Sequence, residues 1–227
     1  MEIDEASVED LLKLKLIVVG NQGTGKSCIL NRFINNSFDE NYQATIGLDF
    51  HSKNVVIHNQ DIRLILYDTA GQEKFRSLIP MYIREAQIIL LIYDITNKDS
   101  FDSIPKWMAE ISDVKNNDII YVLVGNKIDL EKQRTVSFEE GKKFADENKL
   151  LFQEVSAKSG ANIGVLFEGQ IYETIYNKFK TEFDKRGGTN DGYQENYDNS
   201  NENVNNNKVK LDQEVNNKEV KKKKKCC

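Results

Sequence analysis

The segment Gly20-Asn21-Gln22-Gly23-Thr24-Gly25-Lys26-Ser27 fits the pattern Gly-x-x-x-x-Gly-Lys-Ser/Thr. It stands between residues 13–19, an apolar stretch that reads as a strand, and residues 28–35, which read as a helix. A bare match arises by chance in roughly one in a hundred chains of this length, and the strand before and helix after make it specific. The glycines let consecutive backbone N–H groups turn inward around phosphate oxygens, and the following helix start adds the positive end of its dipole. Lys26 would reach the β- and γ-phosphates, and the Ser27 hydroxyl would ligate Mg²⁺. The loop specifies nucleotide phosphates without specifying the base or the reaction.

The pattern that continues from it is an alternation. Strand signals cover residues 49–57, 62–68, 88–93, 119–124 and 151–155, with a turn at His58-Asn59-Gln60-Asp61. Helical signals cover residues 100–114, a stretch after Ser137 with Glu140 three positions on, and residues 163–186. The short continuous runs of Ile, Leu and Val at 88–93 and 119–124 suit strands buried on both faces. Strand–helix alternation of this kind predicts an α/β fold with a parallel sheet. Gly164 and Gly169 weaken the last helix locally.

Two further motifs sit at strand ends, where open parallel sheets bind ligands. Asp68-Thr69-Ala70-Gly71-Gln72-Glu73 follows the strand over 62–68. Asp68 suits a direct or outer-sphere Mg²⁺ carboxylate, and Gly71 offers an N–H that can approach a γ-phosphate closely. Gln72, neutral and both donor and acceptor, can hold an attacking water while donating to the transition state. Asn126-Lys127-Ile128-Asp129 follows the strand over 119–124. A carboxylate there accepts from the ring N–H and the exocyclic amino group of guanine, a pair that adenine lacks. Ser156-Ala157-Lys158, after the next strand, would supply backbone N–H groups to the guanine oxygen. An ATP-using kinase would need an arginine-bearing lid and a second substrate pocket, neither of which the sequence displays. A nucleotide-bound scaffold that does not cycle is disfavoured by Thr45, Gly71 and Gln72 all being present.

Composition sets the organisation. Residues 1–11 read as an extension, 12–186 as one globular domain and 187–227 as a disordered tail rich in Asn, Asp, Glu and Lys. The net charge of −5 combines an acidic body and an acidic stretch to residue 220 with five lysines at 221–225. Positive charge confined to such a block beside Cys226 and Cys227 points to a membrane surface and away from a nucleic-acid polymer. The acidic first ten residues are unlike a secretion signal, no apolar run is long enough to span a bilayer, and three cysteines do not make a disulfide scaffold. His51 and His58 read as surface residues, and Trp107 as helix core.

With these residues in place, the sequence resembles the Ras superfamily of small GTPases over about residues 12–180, and within it looks like the Rab family. The Rab-like pieces are Ile46-Gly47-Leu48-Asp49-Phe50, Tyr67-Asp68-Thr69-Ala70-Gly71-Gln72-Glu73, Ile92-Tyr93-Asp94-Ile95-Thr96-Asn97 and Cys28 after Lys26-Ser27. Residues 41–45 and 75–84 look closest to the Golgi-associated Rab subgroup. The resemblance implies a P-loop small G domain, a mostly parallel six-stranded sheet with helices on both faces. It implies a monomeric switch that exchanges GDP for GTP, hydrolyses GTP slowly with Mg²⁺, and recruits effectors to membranes in vesicle trafficking. It gives Thr45 two roles, with its hydroxyl on Mg²⁺ and its N–H on the γ-phosphate. It places Phe38 edge-on to the guanine, Tyr42 over the phosphates, and Gly23, Thr24, Gly25 and Cys28 in the nucleotide site. Catalysis would rest on Gln72, Lys26, Thr45 and Gly71. Ile46, Phe50, Tyr67 and Tyr82 would form the effector surface, with Tyr67 standing where the family usually has Trp. Cys226 and Cys227 would carry two prenyl groups. The implied partners are an exchange factor, a GTPase-activating protein, a prenylation escort, a GDP-dissociation inhibitor and effectors. The implied location is the cytosolic face of Golgi or trans-Golgi membranes, with a soluble GDP-bound pool. Thr24 stands for a common Val, and Gln22 is bulky enough to crowd Gln72.

Overall fold

The computed structural model describes residues 11–40, 45, 47–70, 79–114 and 119–186. Six strands form one sheet: β1 (Leu12–Val19), β2 (Leu48–Ile57), β3 (Gln60–Thr69), β4 (Ile88–Asp94), β5 (Ile120–Asn126) and β6 (Leu151–Val155). Their order is β2-β3-β1-β4-β5-β6, and only β2 runs antiparallel to its neighbour. β4, β5 and β6 are each reached through a connection that contains a helix, as the alternation requires, whereas β3 follows β2 through a hairpin. β4 is buried along its whole length and β5 nearly so, which is why their sequences are unbroken apolar runs rather than alternating ones.

Helices cover both faces. α1 (Lys26–Asn35), a π-helical turn (Val165–Ile171) and α6 (Tyr172–Arg186) bury Ile29, Leu30, Phe33, Phe167, Ile171 and Ile175 against one face of the sheet. α3 (Lys98–Asp102), α4 (Ile104–Ser112) and α5 (Phe138–Glu147) bury Phe101, Ile104, Trp107, Ile111 and Ala145 against the other, with Ile83 from the short α2 (Ile79–Ile83). The predicted α/β architecture is the one observed. Among the described residues no helix is long and apolar enough to cross a membrane. The tail over 187–227 and all but the last residue of the extension over 1–11 lie outside the described residues.

Several local readings are refined. The expected helix over 100–114 is two helices, α3 and α4, meeting at Ser103. Pro105 lies in the first turn of α4, where its missing N–H costs nothing, but inside one continuous helix it would remove a bond and clash. The last helix starts with π-helical geometry over Val165–Ile171, the segment that Gly169 weakens. The β2–β3 turn tightens to His58-Asn59, both left-handed at φ 45° and 62°, the backbone that a two-residue hairpin with matching twist demands. Ser137 caps α5 by accepting from Glu140 N–H at 3.0 Å. A 3₁₀ segment over Ile128–Gln133 and α2 carry no period long enough to be read in advance.

What the fold does for a site is bring five strand ends to one edge. The carboxyl ends of β1, β3, β4, β5 and β6 lie there in register, with Val18 beside Asp68, Asp94 beside Asn126, and Asn126 beside Val155. β1 stands between β3 on one side and β4 on the other, so the loop leaving it opens where the crossovers change direction.

Candidate nucleotide-binding site

The phosphate loop leaves β1 through Gly20, whose φ is 146° and whose hydrogen faces β4. A Cβ there would lie 2.2 Å from the Ile92 carbonyl oxygen, so any side chain would push the loop off the sheet. Gly25, at φ 90°, precedes α1, and a Cβ on it would lie 2.3 Å from Asn126 Nδ2. Lys26 is buried and folds back over the loop, donating from Nζ to Gly20 O at 3.0 Å and Asn21 O at 2.9 Å. Burial lowers its pKa to about 8, opposed in part by the Asp68 carboxylate. The ammonium is thus held over the loop, where phosphate oxygens would replace carbonyls as its partners. Thr24 is buried and donates to Asn21 O at 3.0 Å, so the hydroxyl that distinguishes it from Val is absorbed within the loop. Asn21 ties the loop to the neighbouring helices. Its Nδ2 donates to Ser103 Oγ at 2.9 Å and its Oδ1 accepts from Trp107 Nε1 at 3.0 Å. Trp107 is helix core, as expected, but its N–H reaches the phosphate loop.

Beside the loop, three oxygen-bearing side chains meet. Ser27 Oγ and Thr45 Oγ1 are 2.8 Å apart, and Thr45 Oγ1 donates to Asp68 Oδ2 at 3.4 Å. Asp68 is 4% exposed, and its Oδ1 has no hydrogen-bond partner among the described residues. Burial raises its pKa, with Ser27, Lys26, His51 and Thr45 pulling the other way. Two hydroxyls and a carboxylate form a hard-oxygen set, and an orphaned buried carboxylate oxygen is what a cation satisfies. The residues fit Mg²⁺, which Ser27 and Thr45 would ligate and Asp68 would hold directly or through water. Gly71, Gln72, Tyr42 and Ile46 lie outside the described residues.

A pocket of about 300 Å³ opens next to the loop, walled by Gly23, Gly25, Cys28 and Phe38 on one side and by residues 126, 127, 129, 130, 157 and 158 on the other. Asn126, 2% exposed, joins two loops far apart in the chain. Its Nδ2 donates to Thr24 O at 2.8 Å, and its Oδ1 accepts from Ala157 N–H at 3.1 Å. Lys127 has φ 74° and its ammonium meets Asp94 Oδ2 at 2.6 Å. Asp129 accepts from Ser156 Oγ at 2.5 Å, and Ser156 is fully buried. The hydroxyl thereby orients the carboxylate that would read the base. Of the N–H groups of residues 156–158, that of Ala157 donates to Asn126 and that of Ser156 to Ala161 O at 3.0 Å, so a base carbonyl would share the first. Cys28 is half-buried and its thiol pKa is raised, chiefly by burial. Two residues that the sequence reading passed over belong here. Asp94 anchors Lys127. Arg32, on the last turn of α1, reaches across to the carbonyls of Ala157 and Lys158.

The aromatic residues expected on the surface are adjacent. Phe50 pairs with Tyr67 across β2–β3, and the Tyr67 and Tyr82 rings lie 5.2 Å apart. Phe50 is 69% exposed but Tyr67 only 9%, so of the paired residues Phe50 alone presents its ring widely to solvent.

The phosphate loop, the oxygen triad and the carboxylate-bearing pocket form one continuous site for a nucleoside phosphate and a divalent cation. The Ras family sequence profile matches residues 15–177, well over half of the chain, and all three parts of the site fall inside that span. The chain belongs to the Ras family of small GTPases.

Proposed function

We propose that this Ras-family GTPase is a switch of Rab type, acting on Golgi-related membranes and anchored there by lipid on Cys226 and Cys227. The Rab reading is carried by Phe50, Tyr67 and Tyr82: a largely exposed phenylalanine is the cross-strand partner of a buried tyrosine that packs on Tyr82, next to Asp68. Such a patch changes when Thr45 and residues 71–84 change their contacts, so it can report which nucleotide is bound. Bound Mg²⁺ would neutralise charge on the β- and γ-phosphates. The chain itself does the rest. The loop N–H groups and Lys26 hold the phosphates, and Asp129 with Asn126 fixes the base. Gln72 orients the attacking water. With no arginine finger evident in the sequence, intrinsic turnover is expected on the order of 10⁻⁴–10⁻³ s⁻¹, and a GTPase-activating protein would supply the missing charge. Family membership removes the ATP-using kinase as an alternative.

Two experiments test the proposal. Gln72→Leu should abolish stimulated hydrolysis and trap the GTP form. Unchanged single-turnover phosphate release would remove Gln72 from its role, and no detectable cycling in the unaltered chain would favour a static scaffold. Fluorescence localisation of the intact chain beside a Cys226→Ser, Cys227→Ser variant tests the anchor and compartment together. Membrane label that moves to bulk solvent in the variant is expected, because two lipid chains hold stably where one does not, and lysines add ~1 kcal/mol each on an anionic leaflet. Identical distributions would overturn the anchor, and a compartment other than the Golgi would overturn the subgroup.

A further inference from the structure

Arg32 is on the helix that the phosphate loop opens, yet its guanidinium serves the other side of the site. Nε donates to Ala157 O at 2.9 Å and Nη2 to Lys158 O at 2.7 Å, while Nη1 donates to Asn36 O at 2.7 Å. The third bond is an ordinary helix-end contact, at the cap of the same helix. The first two join residues more than a hundred positions apart, with the planar fork of the side chain on two successive carbonyls. Gly160, at φ 82°, lies under the Arg32 stem, where a Cβ would sit 3.7 Å from Cδ. Arg32 does not line the base pocket. It lines a separate cleft of about 250 Å³ with Phe33, Lys53 and Glu168.

That position has a consequence for the base. In a trans peptide the carbonyl and the next N–H point in opposite directions. With Ala157 O held on Arg32, the Lys158 N–H is directed away from Arg32, and Ala157 and Lys158 both line the base pocket on the loop's other side. Ala157 N–H is already held by Asn126, and Ser156 Oγ both donates to Asp129 and accepts from Ser159 N–H. The loop's N–H side is thus fixed by Asn126 and Ser156, and its carbonyl side by Arg32. The ion pair of Lys158 with Glu40, 2.8 Å, lies on the exposed rim and adds little to that hold.

We infer that Arg32 is a positioning residue for base recognition: its fork on Ala157 and Lys158 carbonyls aims the Lys158 N–H at the purine oxygen and sets how long guanine nucleotide stays bound. The inference rests on the reading of residues 126–129 and 156–158 as the base site. A lysine ammonium is a compact point charge without the planar, spaced donors of the guanidinium, so lysine does not reproduce the fork.

The test uses the full chain loaded with fluorescent GDP, with Arg32→Ala, Arg32→Lys and Asp129→Ala as variants. Both Arg32 variants should speed GDP dissociation at least five-fold, and Arg32→Ala should shrink the preference for GDP over ADP at least five-fold in competition. A merely structural role would weaken both nucleotides equally and leave that preference intact. Dissociation changed less than five-fold in Arg32→Ala, an unchanged GDP-over-ADP ratio, or full recovery in Arg32→Lys overturns the inference. Asp129→Ala separates the two readings. If it leaves the GDP preference intact, the base-site assignment falls. If it removes the preference while Arg32→Ala does not, the role of Arg32 alone falls.

Discussion

Asp129→Ala is expected to lower GDP and GTP affinity by about 10²–10⁴-fold, the effect of removing two hydrogen bonds to a charged acceptor at about 1.5–3 kcal/mol each. Selectivity should fall with affinity. Asp129 is the one carboxylate in the lining of the pocket, and a carboxylate accepts from the guanine ring N–H and amino group, a pair that adenine lacks. The substitution also removes the acceptor of the buried Ser156 hydroxyl, so the loop over 156–158 loosens as well. Equilibrium competition between GDP and ADP measures both effects. Affinity within three-fold of the unaltered protein would show that the base is read elsewhere.

Asn126→Ala is expected to act on both ends of the nucleotide at once. Its side-chain amide links the Thr24 carbonyl to the Ala157 N–H, and it is 2% exposed. Removing it leaves two buried polar groups without their partner, at about 1–3 kcal/mol each, or roughly 2–6 kcal/mol shared between folding and nucleotide affinity. Asn126→Asp does not rescue it. A carboxylate keeps the bond from Ala157 but sets an anion against the Thr24 carbonyl, where the amide donated. Thermal unfolding with and without saturating GDP separates the two contributions: the midpoint should fall in both, and the stabilisation by GDP should shrink. A midpoint unchanged in either condition would mean that the two loops are held together by other contacts.

These two residues differ in how they came to be recognised. Asp129 is legible in the sequence because its chemistry is local: a carboxylate, at a fixed spacing from Asn126, after an apolar strand. The phosphate loop is legible for the same reason, since Gly20 and Gly25 meet backbone demands that no other residue meets, at φ 146° and 90°. The strand order is not local, but the alternation of strand and helix leaves few topologies open. The break between α3 and α4 was available in principle from Pro105, whose missing N–H fits a helix start and not a helix middle. By contrast, that Tyr67 is buried while its cross-strand partner Phe50 stays exposed depends on the packing of Tyr67 against Tyr82 of α2, which no spacing along the chain expresses.

By itself, then, the sequence determined the parts whose function follows from residue type and near neighbours. These are the glycines that admit a phosphate, the lysine and serine that follow them, the carboxylate that ends β3, the base-reading tetrapeptide and the alternating strands that hold them. Only the tertiary structure decided which distant groups share one bond. Asn126 meets Thr24 and Ala157, Asn21 meets Trp107, and Arg32 takes the carbonyls of Ala157 and Lys158. The reason is physical. A backbone conformation or a strand end is dictated within a few residues, whereas a side-chain amide or guanidinium finds its partner only after the sheet has set five strand ends side by side.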